Sequence, residues 1–313
     1  MIKIGNYTVN TKHFPDGTQC LMDFPPYMFT ANSGFCGISW HYENDSEMIT
    51  LMYLVNHIRR FYPRYPIFLS MPYIPNARMD RVKHDNEIFT LKYFADFING
   101  LKFDEVHVFD PHSDVSCALI NNIVIHSSER FIKDTIDDIR FKTNNGELII
   151  YFPDAGAYKR YKDLTCFNDY KKIYGQKVRD WDTGQILGLK IVNEDGEEIS
   201  KVAYGFDYET NGLNPEIKVS SSTVVPALQY KVILMVDDII SYGGTLHYSA
   251  VELEKLGSKN IYAFATHVEP KSIWNEEKGK VGKDLDSKLI KHLYTTSSIY
   301  NAKENKSVTV YMI

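Results

Sequence analysis

The fold is decided by the stretch Lys231-Val-Ile-Leu-Met-Val-Asp-Asp-Ile-Ile-Ser-Tyr-Gly-Gly-Thr-Leu246. Its apolar first half predicts a buried strand, and the glycine turn before the next amphipathic run predicts a helix that begins near Thr245. Asp237 and Asp238 come at the carboxyl end of this strand, where open α/β sheets usually bind ligands. Helix N-termini bind anions and carboxylates accept hydrogen bonds from sugar hydroxyls, so the stretch predicts a site for a phosphorylated sugar. The alternative is an acidic strand end followed by a purely structural turn.

Strand-like apolar runs alternate with amphipathic stretches along the rest of the chain. This alternation predicts an α/β protein with mainly parallel sheets flanked by helices. Because 313 residues exceed what one ordinary core comfortably supports, the length favours two domains or one large α/β domain. The turn-rich Thr143-Asn-Asn-Gly146 places their junction between residues 1–145 and 146–313. The predicted strands are 66–72, 105–109, 147–152, 231–236 and 260–266, and the predicted helices are 45–61, 86–99 and 244–256.

Composition excludes several classes of function. The formal charge of −5 and the lack of a basic block argue against nucleic acid as a partner. No apolar run reaches the length of a membrane span, and the first residues lack the apolar stretch of a signal peptide, so we expect a cytoplasmic protein with no membrane partner. The four cysteines lie far apart, which predicts reduced thiols without a metal.

The stretch from Asp237 to Thr245 resembles the phosphoribosyl-diphosphate signature that phosphoribosyltransferases share with ribose-phosphate diphosphokinases. The resemblance implies a phosphoribosyltransferase-like fold in each domain. It also implies that Asp237 and Asp238 hold the ribose hydroxyls. The residues implied to hold the 5-phosphate are Ser241, Tyr242, Gly243, Gly244 and Thr245.

The first half of the chain distinguishes between these two families. Pro72-Tyr-Ile-Pro-Asn-Ala-Arg-Met-Asp-Arg81 resembles the ATP-binding segment of the diphosphokinases, which implies that Arg78 and Asp80 bind ATP. A surface Arg–Asp salt bridge is the plainer alternative. Phe14-Pro-Asp-Gly17 resembles a diphosphokinase segment that reaches the adenine of a neighbouring subunit, so Phe14 and Asp16 are further ATP candidates and a homo-oligomer is expected.

Two strand ends supply candidate Mg²⁺ ligands by the same resemblance. Phe109-Asp-Pro-His112 implies that His112 binds the metal or the ATP phosphates, and Tyr151-Phe-Pro-Asp154 implies Asp154 as a metal ligand. Mg²⁺ keeps waters and substrate phosphates in its shell, so few protein ligands suffice. A structural histidine and a helix-capping aspartate are the alternatives.

The segment from Tyr174 to Gly184 occupies the place of the family's mobile catalytic loop. Lys177 and Arg179 match the spacing of its two cations and are the candidate catalytic residues. Phosphoryl transfer is catalysed mainly by alignment and by cations that stabilise the phosphate oxygens, although a solvated basic loop would look the same. No P-loop sequence is present, so ATP would be held in another way.

The resemblance therefore implies transfer of a diphosphate from Mg-ATP to the C1 hydroxyl of a ribose phosphate. Ser241 and Tyr242 replace the family's Asp and Thr, which leaves two acceptors open. One is ribose 5-phosphate, as in nucleotide biosynthesis, and the other is ADP-ribose, as in NAD salvage by phage-type relatives. The tail from Lys303 to Ile313 lacks the family's final helix and is expected to contact the first domain. A phosphoribosyltransferase and a catalytically silent regulatory relative are the competing classes.

Overall fold

The predicted alternation of strands and helices is present in the structure, a computed structural model that describes residues 1–22, 34–179, 186–199, 205–207, 212–214, 228–302 and 305–313. These residues form two units, Met1–Ser128 together with Ile313, and Glu129–Met312. We call them unit 1 and unit 2. Among the described residues, no helix is long and apolar enough to cross a membrane.

Unit 1 is built on a sheet whose described strands follow the order β2-β1-β5-β6-β7-β8. The strands from β5 to β8 are parallel, whereas β1 joins β5 in the antiparallel sense. A separate short hairpin, β3–β4, lies between β2 and β5 in chain order. The strands are β1 (Ile2–Ile4), β2 (Tyr7–Thr8), β3 (Lys12–His13), β4 (Gln19–Cys20), β5 (Cys36–Trp40), β6 (Ile67–Ser70), β7 (Glu105–Phe109) and β8 (Ile123–His126).

Helices α1 (Ser46–Phe61), α2 (Thr90–Gly100) and α3 (Asp114–Leu119) complete unit 1. The core of this unit lies between the sheet and the apolar faces of α1 and α2. In α1 the buried side chains recur at three- and four-residue spacing, as in Leu51, Leu54 and Ile58, which is the pattern that predicted the helix. The predicted start of α2 at residue 86 is wrong by four residues, because Glu87 accepts the backbone N–H of Lys83 in a local turn.

Unit 2 contains a larger sheet whose described strands follow the order β11-β10-β9-β14-β15-β16-β17. All neighbours are parallel except β10 and β11. The central strands are buried along nearly their whole length, as expected where both faces of a parallel sheet are covered. The strands are β9 (Leu148–Phe152), β10 (Lys171–Arg179), β11 (Ile186–Asn193), β12 (Gly205–Asp207), β13 (Gly212–Asn214), β14 (Val232–Ile240), β15 (Asn260–Val268), β16 (His292–Thr296) and β17 (Val308–Tyr311).

The helices of unit 2 are α4 (Glu129–Lys142), α5 (Ala155–Tyr161), α6 (Gly244–Lys255), α7 (Pro270–Ile273) and α8 (Lys280–Ser287). One face of the sheet forms a core with α6, α7 and α8. Side chains on the other face include Phe152, whose ring contacts Tyr161 of α5 and Phe167 of the short 3-10 turn Thr165–Phe167. The predicted strands at β6, β7, β9, β14 and β15 and the predicted helices at α1 and α6 are therefore confirmed.

The division into units differs from the junction predicted between residues 145 and 146. Helix α4 belongs to unit 2, since Thr135 and Asp138 contact Tyr311 and Tyr294 of the second sheet. The C-terminal strand β17 pairs with β16, so residues 308–311 extend the second sheet, whereas Ile313 is grouped with unit 1. The expected contact of the tail with the first domain stays a prediction. Part of the polar region 196–226 forms the antiparallel hairpin β12–β13, and most of the rest lies outside the described residues.

Candidate functional site

Three carboxylates meet at one edge of the unit 2 sheet, which we call the acid edge: Asp154, Asp237 and Asp238. Strands β9 and β14 are parallel neighbours, with Met235 opposite Tyr151, so their carboxyl ends reach the same edge. Asp154 is the second residue after β9, and the other two acids lie near the carboxyl end of β14. The structure thus brings together two predicted sugar ligands and one predicted metal ligand.

The pKa of Asp237 is raised at this edge. Burial raises its pKa well above the ordinary value, and the charges of Asp238 and then Asp154 raise it further. Its Oδ1 accepts the N–H of Asp238 at 3.0 Å, which partly offsets the rise. A carboxyl group in this setting gains from a ligand that donates hydrogen bonds or brings positive charge.

Asp238 has a different partner. Successive residues of a strand point to opposite faces, so Asp237 continues the face covered by α6, and Asp238 continues the face covered by α5. There Arg160 of α5 forms an ion pair with Asp238, with Nη1 at 3.0 Å from Oδ2. The side chain of Asp238 is only 6% exposed, so this charge is compensated inside the protein.

Asp154 caps the N-terminus of α5. Its Oδ1 accepts the backbone N–H groups of Gly156 and Ala157 at 2.9 and 3.0 Å. The capping role was the plainer reading of the sequence, and it leaves the carboxylate at the same acid edge. Among the described residues, no group of three or more His, Cys, Asp or Glu side chains could hold a metal alone. The oxygen atoms and negative charge of the acid edge nevertheless fit a Mg²⁺ ion, because oxygen atoms of the substrate would complete its coordination shell.

The segment Ser241–Thr245, which we call the glycine loop, connects β14 to α6. Gly243 has φ of 78°, in the left-handed region that favours glycine, and a Cβ at this position would collide with the side chain of Val281. The N–H of Lys280 donates to the carbonyl of Tyr242 at 2.8 Å and so fixes the loop against the start of α8. The first N–H groups of α6 have no acceptor within the helix, which makes this end suitable for a phosphate.

Two contacts at the glycine loop were not foreseen from the sequence. Ser241 Oγ donates to Glu269 Oε2 at 2.7 Å, and Ser272 Oγ donates to the same oxygen at 2.9 Å. Glu269 thus places a carboxylate beside the position where the diphosphokinases have an aspartate.

Tyr242 is 43% exposed, and Lys278 Nζ lies 5.9 Å from the centre of its ring. An aromatic face with a cation therefore borders the loop.

In unit 1, the predicted ATP segment is partly buried, as at Ile74 and Ala77, and Asp80 is paired within the segment. Arg78 is exposed, whereas Asp80 accepts hydrogen bonds from Arg81 Nε at 2.8 Å and Arg81 Nη2 at 3.0 Å. These bonds lower the pKa of Asp80, and the charge of His112 acts in the same direction, which brings His112 and Asp80 within one electrostatic environment. The salt bridge anticipated as an alternative is therefore formed by Arg81.

The other unit 1 candidates lie on a hairpin and after a strand. Phe14 and Asp16 belong to the turn between β3 and β4, where Phe14 is 48% exposed. Asp16 Oδ1 accepts the backbone N–H and hydroxyl of Thr18, and these bonds lower the pKa of Asp16. His112 lies between β7 and α3, and it belongs to unit 1, whereas Asp154 belongs to unit 2.

The segment predicted as a mobile loop is a strand as far as Arg179. Lys177 and Arg179 lie in β10, opposite Leu189 and Ile186 of β11, with an irregularity between Val178 and Arg179. Strand β10 pairs with β9 only at its start, and its antiparallel pairing with β11 extends it to Arg179. The polar residues of this segment did not predict that extension. Their side chains and residues 180–185 lie outside the described part of the chain, so the catalytic assignment stays a prediction.

The chain is similar to known proteins along most of its length, although no protein-family model matches it. The chain is 25% identical over 261 residues to the ribose-phosphate pyrophosphokinase of Thermococcus kodakarensis, covering 83% of this chain and 77% of that protein. It is 27% identical over 250 residues to the enzyme of the same name from Pyrococcus abyssi, covering 78% and 70%. The structure of phosphoribosylpyrophosphate synthetase from Mycobacterium smegmatis superposes with a TM-score of 0.66 at 15% identity, covering 97% and 86%.

These similarities span both units, and they confirm two predictions. The resemblance to ribose-phosphate diphosphokinases, which are also called pyrophosphokinases, extends over most of the chain, and the fold is the one found in phosphoribosylpyrophosphate synthetase. The names of the relatives agree with the predicted class of enzyme. The sequence analysis missed Arg160, Glu269 and Lys278. The parallel order β9–β14 could have indicated Arg160, since the helix after β9 must lie beside the end of β14.

Proposed function

We propose that the chain transfers the β,γ-diphosphate of ATP to the C1 hydroxyl of a ribose phosphate. The observation that carries the proposal is the acid edge beside the glycine loop, two acids and a helix N-terminus at the carboxyl end of one parallel strand. Support comes from relatives named ribose-phosphate pyrophosphokinase, which match across both units. A single-domain phosphoribosyltransferase would leave the unit 1 match without explanation.

In this proposal the residues divide into two groups. Asp237 and Asp238 accept hydrogen bonds from the ribose hydroxyls, and the glycine loop binds the 5-phosphate with backbone N–H groups. Arg78, Asp80 and His112 of unit 1, with Phe14 and Asp16, bind ATP. Mg²⁺ would neutralise the charge of the ATP phosphates when bound, and His112 of unit 1 and Asp154 of unit 2 are each candidate ligands that substrate oxygens would supplement.

The proposed chemistry is a direct displacement at phosphorus. The C1 hydroxyl oxygen forms a bond to the β-phosphorus, the bond from that phosphorus to the α,β-bridging oxygen breaks, AMP leaves, and the hydroxyl proton passes to solvent. Lys177 and Arg179 stabilise the charge on the equatorial oxygens. The cations matter because the reaction depends on alignment and charge stabilisation more than on covalent catalysis.

For the acceptor, ribose 5-phosphate is the first candidate, since the relatives' name describes a ribose phosphate. ADP-ribose is the second, and one observation favours it. Tyr242 is 43% exposed at the glycine loop, with Lys278 Nζ 5.9 Å from the centre of its ring, which suits a nucleotide extension attached to the 5-phosphate. A homo-oligomer and a cytoplasmic location complete the proposal.

The test is AMP release from Mg-ATP with ribose 5-phosphate and, in parallel, with ADP-ribose, followed by mass spectrometry of the sugar product. We expect a diphosphorylated sugar from at least one acceptor, and loss of turnover in the Lys177→Ala/Arg179→Ala protein. Binding of phosphoribosyl diphosphate without AMP release would favour a transferase or a silent regulatory protein instead.

A further inference from the structure

Asp238 is a buried charge that needs compensation. Its side chain is 6% exposed and that of Arg160 is 28% exposed, so the pair lies largely out of contact with water. A carboxylate in such a place is costly unless a cation or several hydrogen bonds accompany it. The ion pair of 3.0 Å between Arg160 Nη1 and Asp238 Oδ2 provides that cation.

Arg160 comes from the last turn of α5, the same short helix that Asp154 caps. The helix is thus connected to the acid edge at both ends, by the Asp154 carboxylate at its start and by the Arg160 guanidinium at its end. The ring of Tyr161 stacks on Phe152 of β9 with an interplanar angle of 11°, and Arg160 Cζ lies 5.8 Å from the Tyr161 ring. These contacts hold the guanidinium against the sheet.

The two neighbouring acids of β14 are therefore unlike. Asp238 has a cation as a fixed partner, whereas the charges acting on Asp237 are those of two other acids. A guanidinium does not lose its proton in proteins and has a rigid planar shape, so it keeps a compensating charge in place, and the 3.0 Å contact restricts the positions open to the carboxylate. A sugar hydroxyl that donates to Asp238 then meets an acceptor that is already oriented, which lowers the entropic cost of binding.

We propose that Arg160 is a positioning residue of the acceptor site, which holds Asp238 ionised and oriented to accept a ribose hydroxyl without itself contacting the substrate. The assignment rests on the proposed function only in taking Asp238 as a sugar ligand. It gives the acceptor site a requirement that lies outside the signature stretch of β14 and the glycine loop.

The test compares Arg160→Met, Arg160→Lys and the matched control Lys159→Met, an exposed neighbour on the same helix. Binding of ribose 5-phosphate and of ADP-ribose is measured by titration calorimetry, and ATP by its KM. We expect Arg160→Met to weaken binding of the acceptor about tenfold or more and to change the KM for ATP by less than about twofold. Arg160→Lys should recover part of the loss, and Lys159→Met should bind as the wild type does.

A double-mutant cycle with Asp238→Asn then identifies the route of the effect. If Arg160 acts through Asp238, Arg160→Met should add less than about twofold to the loss caused by Asp238→Asn. Fully additive losses, or wild-type acceptor binding by Arg160→Met and Arg160→Lys, would overturn the assignment. Should the wild type bind an acceptor without releasing AMP, the proposed reaction fails while the binding cycle still decides the role of Arg160.

Discussion

The acid edge of unit 2 and the Arg78–Arg81 segment of unit 1 differ in how their carboxylates are compensated by cations. At the acid edge, three carboxylates meet with Arg160, and the pair formed by Asp238 is largely buried. In unit 1, Asp80 is paired with its sequence neighbour Arg81, whose side chain is 70% exposed. The charge at the acid edge is compensated inside the protein, whereas in unit 1 the cation is solvated and the Asp80 side chain is 11% exposed.

The difference predicts which substitutions change both stability and ligand binding. Buried like charges at the acid edge destabilise the ligand-free protein, so an acceptor that donates hydrogen bonds there relieves an existing cost. An exposed ion pair contributes little to stability and exchanges its partners with little penalty. Substitutions at the acid edge should therefore change stability and acceptor binding together, and those in unit 1 should change only ATP binding.

The largest effect is expected from Asp238→Asn. The change leaves the Arg160 cation without its carboxylate and removes a sugar ligand, so turnover should fall at least about 100-fold and the free energy of unfolding by about 2 kcal/mol. Steady-state kinetics and chemical denaturation measure the two losses. The exposed Asp163→Asn serves as the control, and a stable Asp238→Asn protein with normal turnover would remove the contrast between the two regions.

Asp237→Asn should change stability and acceptor binding in opposite directions. Because the pKa of Asp237 is raised in the folded protein, its stabilising contribution is complete below the unfolded pKa and is lost as pH rises through the folded pKa. The neutral amide avoids that loss, so the variant should be more stable by about 1 kcal/mol at neutral pH and bind the acceptor about tenfold more weakly.

Thermal melts at about pH 5 and about pH 8 check the sign for Asp237→Asn, since the variant's advantage should grow with pH. An advantage that shrinks with rising pH would mean that the carboxylate is stabilised at the edge, contrary to this account.

Tyr242→Thr sharpens the description of the acceptor. If the exposed ring stacks on a base, the KM for ADP-ribose should rise about fivefold or more, and the KM for ribose 5-phosphate should change by less than about twofold. Parallel AMP-release assays give both values. Equal changes with the two acceptors would show that Tyr242 only shapes the glycine loop.

The smallest effect on stability is expected from Asp80→Asn in unit 1. The melting temperature should shift by less than about 2 °C, because Arg81 stays solvated when it loses its partner, whereas the KM for ATP should rise about threefold. Asp85→Asn, an exposed aspartate a few residues along the chain, should change neither quantity. A clear loss of stability in Asp80→Asn would place Asp80 in the same class as Asp238.

Much of the fold followed from patterns that buried residues impose. The apolar runs at β9, β14 and β15 and the three- and four-residue spacing in α1 and α6 predicted these elements, because packing decides them locally. The start of α2 was missed since the Glu87–Lys83 turn competes with a helix. The strand β10 was taken for a loop because its pairing with β11 is a tertiary choice.

The candidate site divides in the same way. Asp237, Asp238 and the glycine loop form one continuous stretch, so their placement at a strand end could be predicted. Arg160 and Glu269 reach this edge from other elements, α5 and the end of β15, and no local pattern marks them. Residues that act through a contact distant in sequence become visible only when strand order is known.

In the proposed reaction the acceptor attacks the β-phosphorus of ATP, and isotope labelling tests this step directly. With ATP labelled at the β-phosphorus, the label should move to the sugar as part of a diphosphate, in an amount equal to the AMP formed, and label at the α-phosphorus should stay with AMP. Release of ADP, or β-label that remains on a nucleotide while the sugar gains a single phosphate, would contradict the proposed reaction.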